Sequence, residues 1–192
     1  MRRVGLLAVL AVPALITGCG ASSPVATSVP RAAGAQSTKL GWVESAGSPQ
    51  SRLVFRVRSF TVTDSGWSAD VSVSNATAAT FAVDGRNDLG DHAFGVMVFG
   101  TGAHVELERR NAQLALPELR QGTTFAPALP GLLGPHATWA GTVSAQGALP
   151  SGLWVRFVFG AFVPKGKMPD SLSREGVRDS LIWITDHAHR LR

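Results

Sequence analysis

The chain of 192 residues contains one cysteine, three methionines and no tyrosine. One cysteine cannot form an intramolecular disulfide and cannot build a cysteine-based zinc site. Three methionines are too few for a carrier of cuprous copper, which selects soft thioether ligands. A run of about 20 apolar residues, the length that spans a bilayer, is also missing, because the longest run covers only residues 4–16.

Positive charge is in modest excess and is scattered along the chain. The 18 Lys and Arg exceed the 13 Asp and Glu, for a net charge of +5. Two of the arginines lie in the first 18 residues, which leaves 16 basic and 13 acidic side chains in the remaining 174 residues. Arg109 and Arg110 are the only adjacent basic pair there. Nucleic acid, which calls for a clustered basic face, is therefore not an expected partner.

The N-terminus has the succession typical of a secretion signal. Two arginines precede the apolar run at residues 4–16, which Pro13 alone interrupts. The run ends at Ile16 and is followed by Thr17, Gly18 and Cys19. These four residues are informative together. They resemble the lipobox of bacterial lipoproteins, in which a diacylglyceryl group is attached to the cysteine sulfur and a peptidase cleaves before that cysteine.

The lipobox resemblance implies a signal peptide at residues 1–18, recognition through Ile16, Thr17 and Gly18, and lipidation at Cys19. The mature chain would then be anchored in the cell membrane and would face the outside or the periplasm. An ordinary cleaved signal and an uncleaved anchor are the two alternatives. A lipid-bound Cys19 would also leave no thiol for nucleophilic or redox chemistry.

Residues 19–51 are dominated by Ala, Ser, Gly, Pro and Thr, with Leu40, Trp42 and Val43 as the few large apolar side chains. Such a composition buries too little surface to offset the entropy of ordering, so a flexible, disordered tether is predicted. Trp42 is expected to dock on the folded body. The folded domain is predicted to cover residues 52–192.

From residue 52 onward the side chains alternate between apolar and polar, as in strands with one buried face. Leu53, Phe55 and Val57 follow this period, and the shift of phase at Ser59 predicts one long edge strand with a bulge. Further strands are predicted at 67–73, 81–83, 94–99, 105–108, 138–143 and 153–159. About seven short strands with turns between them predict an all-β, antiparallel sandwich.

The connections carry three further expectations. Gly100 and Gly102 are interpreted as a hairpin turn before the strand at 105–108, and not as a phosphate cradle, because no helix is expected to follow. The extension at 164–192 is predicted to contain a short helix capped by Asp170 or Ser171. Residues 181–185 are interpreted as a final strand or a helical end, and their β-branched side chains favour the strand.

This pattern resembles the immunoglobulin-like modules of unknown function in extracellular lipoproteins of actinobacteria. The strand at 67–75 and the turn at 132–135 that feeds the strand at 139–143 carry the resemblance, which covers residues 52–163. It implies an immunoglobulin-like sandwich and brings no catalytic residues. The extension after Pro164 and the missing disulfide depart from the antibody type of this fold.

Two groups of side chains are candidate metal ligands. Asp84, Asp88 and Asp91 share one loop, but their spacing is not that of a calcium-binding loop. His187 and His189 would point the same way on a strand, with Asp186 able to orient one ring. A third ligand is not evident for either histidine. No metal and no cofactor are therefore predicted.

Catalysis is also not expected. A Gly-x-Ser-x-Gly elbow is missing from the sequence, and no strand-to-helix turn presents a serine. The five tryptophans are more readily explained as core residues than as a carbohydrate platform, since four of them lie in predicted strands: Trp67, Trp139, Trp154 and Trp183.

The sequence therefore predicts a non-enzymatic envelope lipoprotein whose sandwich binds another envelope protein or surface component through a sheet edge or loop end. The alternative is a carrier of a small apolar ligand or lipid in a cavity between the sheets. The segment 114–133 would be the lid of such a cavity.

Overall fold

The computed structural model describes residues 31–83, 93–173 and 179–192. In chain order the elements are β1 (Gln36–Ser48), β2 (Ser51–Thr63), β3 (Gly66–Asn75), β4 (Phe81–Ala82), β5 (Gly95–Phe99), α1 (His104–Ala112), β6 (Arg120–Gln121), β7 (Thr124–Ala126), β8 (Leu132–Leu133), β9 (Thr138–Gln146), β10 (Trp154–Pro164), β11 (Leu181–Ile184) and β12 (His189–Arg190). In these ranges no helix is long and apolar enough to cross a membrane.

The strands form two antiparallel sheets, as the sequence predicts. The first has the order β1-β2-β3-β9-β7. The second is built around β10, which pairs with β5 and β4 and also with β11 and β12, while β6 and β8 extend it outward. Of the seven strands predicted between residues 52 and 159, six are present as β2, β3, β4, β5, β9 and β10. The antiparallel β-sandwich is confirmed.

The prediction of a disordered tether up to residue 51 is wrong for its second half. β1 covers 13 residues of that segment and pairs with β2 over its whole length. Arg31, the first described residue, already contacts the body, since its carbonyl accepts a hydrogen bond from Ser151 N at 2.7 Å. Backbone pairing with β2 stabilises β1, and alternate side chains of β1 such as Trp42 and Ala46 pack against the core. The folded domain therefore begins before residue 52.

β2 confirms the predicted bulge and corrects the predicted edge. Its buried residues change phase between Val57 and Phe60, and the register with β3 shifts between Val57 and Ser59. β2 lies inside the sheet, however, because β1 covers its other side. The edge strand is β1.

The strand predicted at 105–108 is instead the first part of α1. Leu107 is its buried residue, whereas Val105 is exposed. Glu106 receives hydrogen bonds from Arg109 and Arg110, at the three- and four-residue spacings that stabilise a helix. Four alternating residues fit a strand and one helical turn equally well, so the short pattern did not separate them.

The expectation that no helix follows Gly100 and Gly102 is therefore wrong as well. Packing explains Gly102 all the same. A Cβ at this position would lie 2.5 Å from Cε3 of Trp154, so only glycine lets the chain pass this close to the indole.

The space between the sheets is filled by aromatic side chains. Phe55 of the first sheet lies 5.2 Å from Phe159 of the second, measured between ring centroids. Phe60 meets Phe157 edge to face at 5.1 Å, and Phe94 packs against Trp139 at 6.0 Å. Such contacts join the two sheets into one core.

The segment 114–133, predicted as a lid, is part of the sheets. It contains β6, which pairs with β5, β7, which pairs with β9, and β8, which pairs with β4. In the extension, the predicted final strand is confirmed as β11. The predicted helix start is a turn at residues 170–172, in which the N–H groups of Leu172 and Ser173 both donate to the Pro169 carbonyl. Residues 174–178 lie outside the described part.

Candidate functional site

Several predicted site residues lie outside the described ranges. These are the signal and anchor residues Ile16, Thr17, Gly18 and Cys19, and the three loop carboxylates Asp84, Asp88 and Asp91. The lipidation site and the acidic loop therefore remain sequence predictions.

His187 and His189 do not point to a common site. Only His189 lies in a strand; its Nε2 is 3.4 Å from Oε1 of Gln36. His187 lies in the β11–β12 connection, where its Nδ1 is 2.7 Å from Oε1 of Glu44. Across residues 31–83, 93–173 and 179–192, no group of three or more His, Cys, Asp and Glu side chains is arranged to hold a metal ion.

Asp186 orients a different histidine from the two that the sequence suggested. Its Oδ1 lies 3.4 Å from Nδ1 of His104, at the start of α1. The other ring nitrogen, Nε2, lies 3.2 Å from Oε1 of Glu108 on the next turn of the helix. His104 is thus placed between two carboxylates and joins α1 to the β11–β12 connection.

Glu44 of β1 is the acceptor at the centre of this region. Its side chain is only 7% exposed. One carboxylate oxygen accepts hydrogen bonds from Trp183 Nε1 at 2.8 Å and from the Asp186 N–H at 2.9 Å. The other accepts the His187 N–H at 3.0 Å and faces the His187 ring. One carboxylate thereby ties the edge strand of the first sheet to the second sheet.

Burial is the largest single influence on the pKa of Glu44 and raises it. The hydrogen bonds from His187, Asp186 and Trp183 stabilise the ionised form and together outweigh burial, so the pKa of Glu44 lies below its usual value of 4.5. Glu44 is therefore a carboxylate at neutral pH.

Arg156 of β10 also binds the β11–β12 connection, which Glu44 contacts. It is fully buried. Its Nη1 donates to the Thr185 carbonyl at 2.7 Å and to the Asp186 carbonyl, and its Nη2 donates to the Gly102 carbonyl at 2.9 Å. The guanidinium also lies over the Phe99 ring, 5.6 Å from the centroid. Burial lowers its pKa, which the charges of Asp186 and Glu44 oppose.

Glu44 and Arg156 together fix the segment 185–187. The carboxylate accepts from its N–H groups and the guanidinium donates to its carbonyls. Hydrogen bonds to charged groups are about twice as strong as those between neutral groups. The β11–β12 connection is therefore rigid. Asp186 within it and Trp183 next to it are held at fixed positions.

Two surface clefts open on either side of Trp183. One, of about 490 Å³, lies between α1 and β11 and includes His104, Leu107, Ile182 and Asp186. The other, of about 520 Å³, lies between β11 and the first two strands and includes Val43, Arg52, Arg56 and His187. We name these two clefts and the indole between them the Trp183 surface.

The Trp183 surface combines apolar and cationic groups. Val43 and Ile182 are 56% and 51% exposed, which is high for large aliphatic side chains. The Trp183 ring stacks on Phe55, with centroids 5.5 Å apart and an interplanar angle of 10°, so the core supports it from below. Arg52 and Arg56 add positive charge at one side.

The tryptophan predictions are confirmed in part. All four residues predicted in strands lie in strands: Trp67, Trp139, Trp154 and Trp183. Only Trp67 and Trp139 are fully buried. Trp42 packs against the core as expected, with its ring 5.9 Å from that of Phe157, but it does so as part of β1.

Sequence reasoning missed Glu44 and Arg156. Glu44 was hidden in the segment interpreted as a tether. Arg156 did carry a signal, since it is the one charged residue in the otherwise apolar run 153–159. A charge that interrupts an apolar strand indicates either an exposed face or a buried, hydrogen-bonded group. The structure shows the second.

Glu44 gives the fold a pH dependence of known sign. A carboxyl whose pKa is lower in the folded state stabilises the fold above its unfolded-state pKa, and this contribution is lost as the pH falls through the folded-state value. We therefore expect Glu44→Gln to be less stable than the wild type at pH 7, by about 2 kcal/mol. The difference should shrink below about pH 4.5. Urea denaturation from pH 7 to pH 3 measures it, and a constant difference would contradict the role of this carboxylate.

Comparison of the chain with protein-family models, with curated proteins and with solved structures found no match. A fold alone does not determine a function. The function is therefore argued from the residues of the site.

Proposed function

We propose that this chain is a non-enzymatic lipoprotein, anchored in the cell membrane through Cys19, whose sandwich binds another protein of the cell envelope at the Trp183 surface. The anchor part of the proposal is supported by the succession of charge, apolar run, small residues and cysteine at the N-terminus.

The observation that carries the binding part is the Trp183 surface. Tryptophan and arginine are enriched at the energetic centres of protein interfaces. Here an indole lies between two clefts, with exposed Val43 and Ile182 and with Arg52 and Arg56 nearby. The support beneath it is rigid, so little side-chain entropy is lost on binding.

The polar groups at this surface already have partners, which favours binding over catalysis. His104 lies between Glu108 and Asp186. The Glu44 carboxylate accepts hydrogen bonds from a side chain and two main-chain N–H groups. A general base needs a free lone pair near a bound substrate. A carrier of an apolar ligand, the alternative function, would need open space between the sheets, where Phe rings instead pack together.

A photo-crosslinking amino acid placed at Ile182 or Val43 tests the proposal in living cells. We expect each position to give the same discrete adduct, larger than the chain by the mass of one partner, because both residues border the Trp183 surface. Gel shift and mass spectrometry of the membrane fraction provide the readout.

Leu132 is the matched control. It is 54% exposed, close to the values for Val43 and Ile182, but it lies in β8 at the far side of the second sheet. No adduct is expected from this position. The absence of adducts at 43 and 182, or an identical adduct at 132, would exclude the Trp183 surface as the binding site.

A further inference from the structure

Four arginines from three distant parts of the sequence meet at one end of the sandwich. Arg31 lies beside the β9–β10 connection, with its carbonyl accepting from Ser151 N. Arg120 reaches the same connection, where its Nη1 donates to the Ala148 carbonyl at 3.3 Å. We name this end of the molecule the arginine end.

Arg190 and Arg192, close to the C-terminal end of the sequence, are the other two residues of the arginine end. Arg190 pairs with Trp154 at the start of β10. The Arg192 carbonyl accepts a hydrogen bond from Gly34 N at 2.9 Å, which places it beside the first described residues. The charge of Arg192 also contributes to a lowered pKa of His189, after the larger effect of burial.

All four arginine side chains are exposed. Within the described ranges, none of the four forms an ion pair with a carboxylate. Asp64, in the β2–β3 turn, is an acid at the same end, because the neighbouring Ser65 carbonyl accepts from Gly147 N. The arginine end is therefore positively charged, and it has a cleft of about 580 Å³ lined by residues 151–152 and 189–192.

The arginine end is also where the chain leaves toward Cys19. Arg31 is the twelfth residue after Cys19. Twelve residues at about 3.4 Å each span at most about 40 Å, even when fully extended. An anchor at Cys19 would therefore keep this end of the sandwich, and not the opposite end with the β1–β2 turn, closest to the membrane.

We propose that the arginine end docks on anionic phospholipid headgroups of the membrane to which the chain is anchored. This inference rests on the proposed anchoring at Cys19 and adds a second, electrostatic contact that orients the sandwich. Docking places the opposite end of the sandwich, with the β1–β2 turn, away from the membrane. The residues in contact with the membrane are Arg31, Arg120, Arg190 and Arg192.

The expected strength follows from the number of charges. Each arginine near an anionic surface strengthens binding about fivefold, and Asp64 at the same end offsets about one of the four charges, so the partition coefficient is about 10² M⁻¹ for a chain without its lipid. The attraction acts only within about 8 Å at physiological salt. Such weak binding matters for an anchored chain, because tethering raises the local concentration of the headgroups.

Vesicle sedimentation with the unacylated mature chain tests this contact separately from the anchor. The chain would comprise residues 19–192 with Cys19→Ala. We expect binding to vesicles with 30% phosphatidylglycerol and 70% phosphatidylcholine, about tenfold weaker binding when salt rises from 50 to 200 mM, and much weaker binding to pure phosphatidylcholine. Replacing all four arginines by glutamine should weaken binding at least a hundredfold.

A charge-matched variant distinguishes a local contact from net charge. Lys165 and Lys167 are exposed and follow β10 at the opposite end of the sandwich, and their replacement by glutamine removes the same charge as the replacement of Arg190 and Arg192 together. This control should retain most of the binding. Equal loss in the two double variants, or equal binding to neutral and anionic vesicles, would overturn the proposal, and neither result bears on lipidation or on crosslinking at the Trp183 surface.

Discussion

Arg156→Ala is expected to lower the free energy of unfolding by about 4 kcal/mol. The substitution leaves the carbonyls of Thr185, Asp186 and Gly102 without their donor in a buried site, and it opens a cavity beside Phe99. Such a loss is a large part of the 5–15 kcal/mol that is typical of a folded protein. Thermal denaturation followed by circular dichroism should show a midpoint lower by roughly 8–16 °C.

Two variants control for the general effect of losing an arginine. Arg190→Ala removes an exposed side chain from the adjacent strand and should change stability by less than about 0.5 kcal/mol. Arg156→Lys keeps the charge but not the fork that reaches three carbonyls, so it should fall between Arg156→Ala and the wild type. A loss below about 1 kcal/mol for Arg156→Ala would show that the buried guanidinium is dispensable.

Cys19→Ala is expected to abolish the attachment of fatty acid and to release the chain from the membrane fraction. Burial of each methylene group contributes about 0.8 kcal/mol, and two or more acyl chains hold a protein stably. The four arginines of the arginine end cannot replace this contribution, since they supply only weak binding. Labelling with palmitate and fractionation of cells measure both effects.

Intact-mass measurement provides the independent check. The wild-type chain extracted in detergent should begin at Cys19 and carry added acyl mass. Retention of fatty-acid label by Cys19→Ala would contradict lipidation at this residue. Folding of the released chain, judged from the same thermal midpoint as the wild type, would show that the anchor is separate from the sandwich.

The period of two was sufficient to predict the sandwich. β2, β3 and β9 bury apolar residues at alternate positions, β10 is buried on both faces, and patterns of this kind depend on no other segment. The bulge in β2 was visible for the same reason, because Phe60 breaks the phase set by Val57.

β1 and α1 were not predictable from their own residues. β1 has few large apolar side chains, and it is stabilised by hydrogen bonds to β2 and by contacts of Trp42 and Glu44 with distant segments, which composition does not contain. α1 has one buried residue, Leu107, and the ion pairs of Glu106 add a small contribution that favours the helix.

The candidate sites depend on contacts between distant parts of the chain. Glu44 meets Trp183 across a separation of 139 residues, and Arg31 meets Ser151 from the other end of the domain. The sequence shows scattered arginines and isolated tryptophans, and only the register of the strands shows which of them share a surface.

The position of β1 determines how force would act on a chain that is anchored at its N-terminus. A pull transmitted through Arg31 acts along the axis of β1, whose far end is joined to β2 by the turn at residues 49–50. The backbone hydrogen bonds between the two strands are then strained together in shear and are not peeled apart one after another. In an anchored chain, β1 would therefore carry the load between the anchor and the rest of the sandwich.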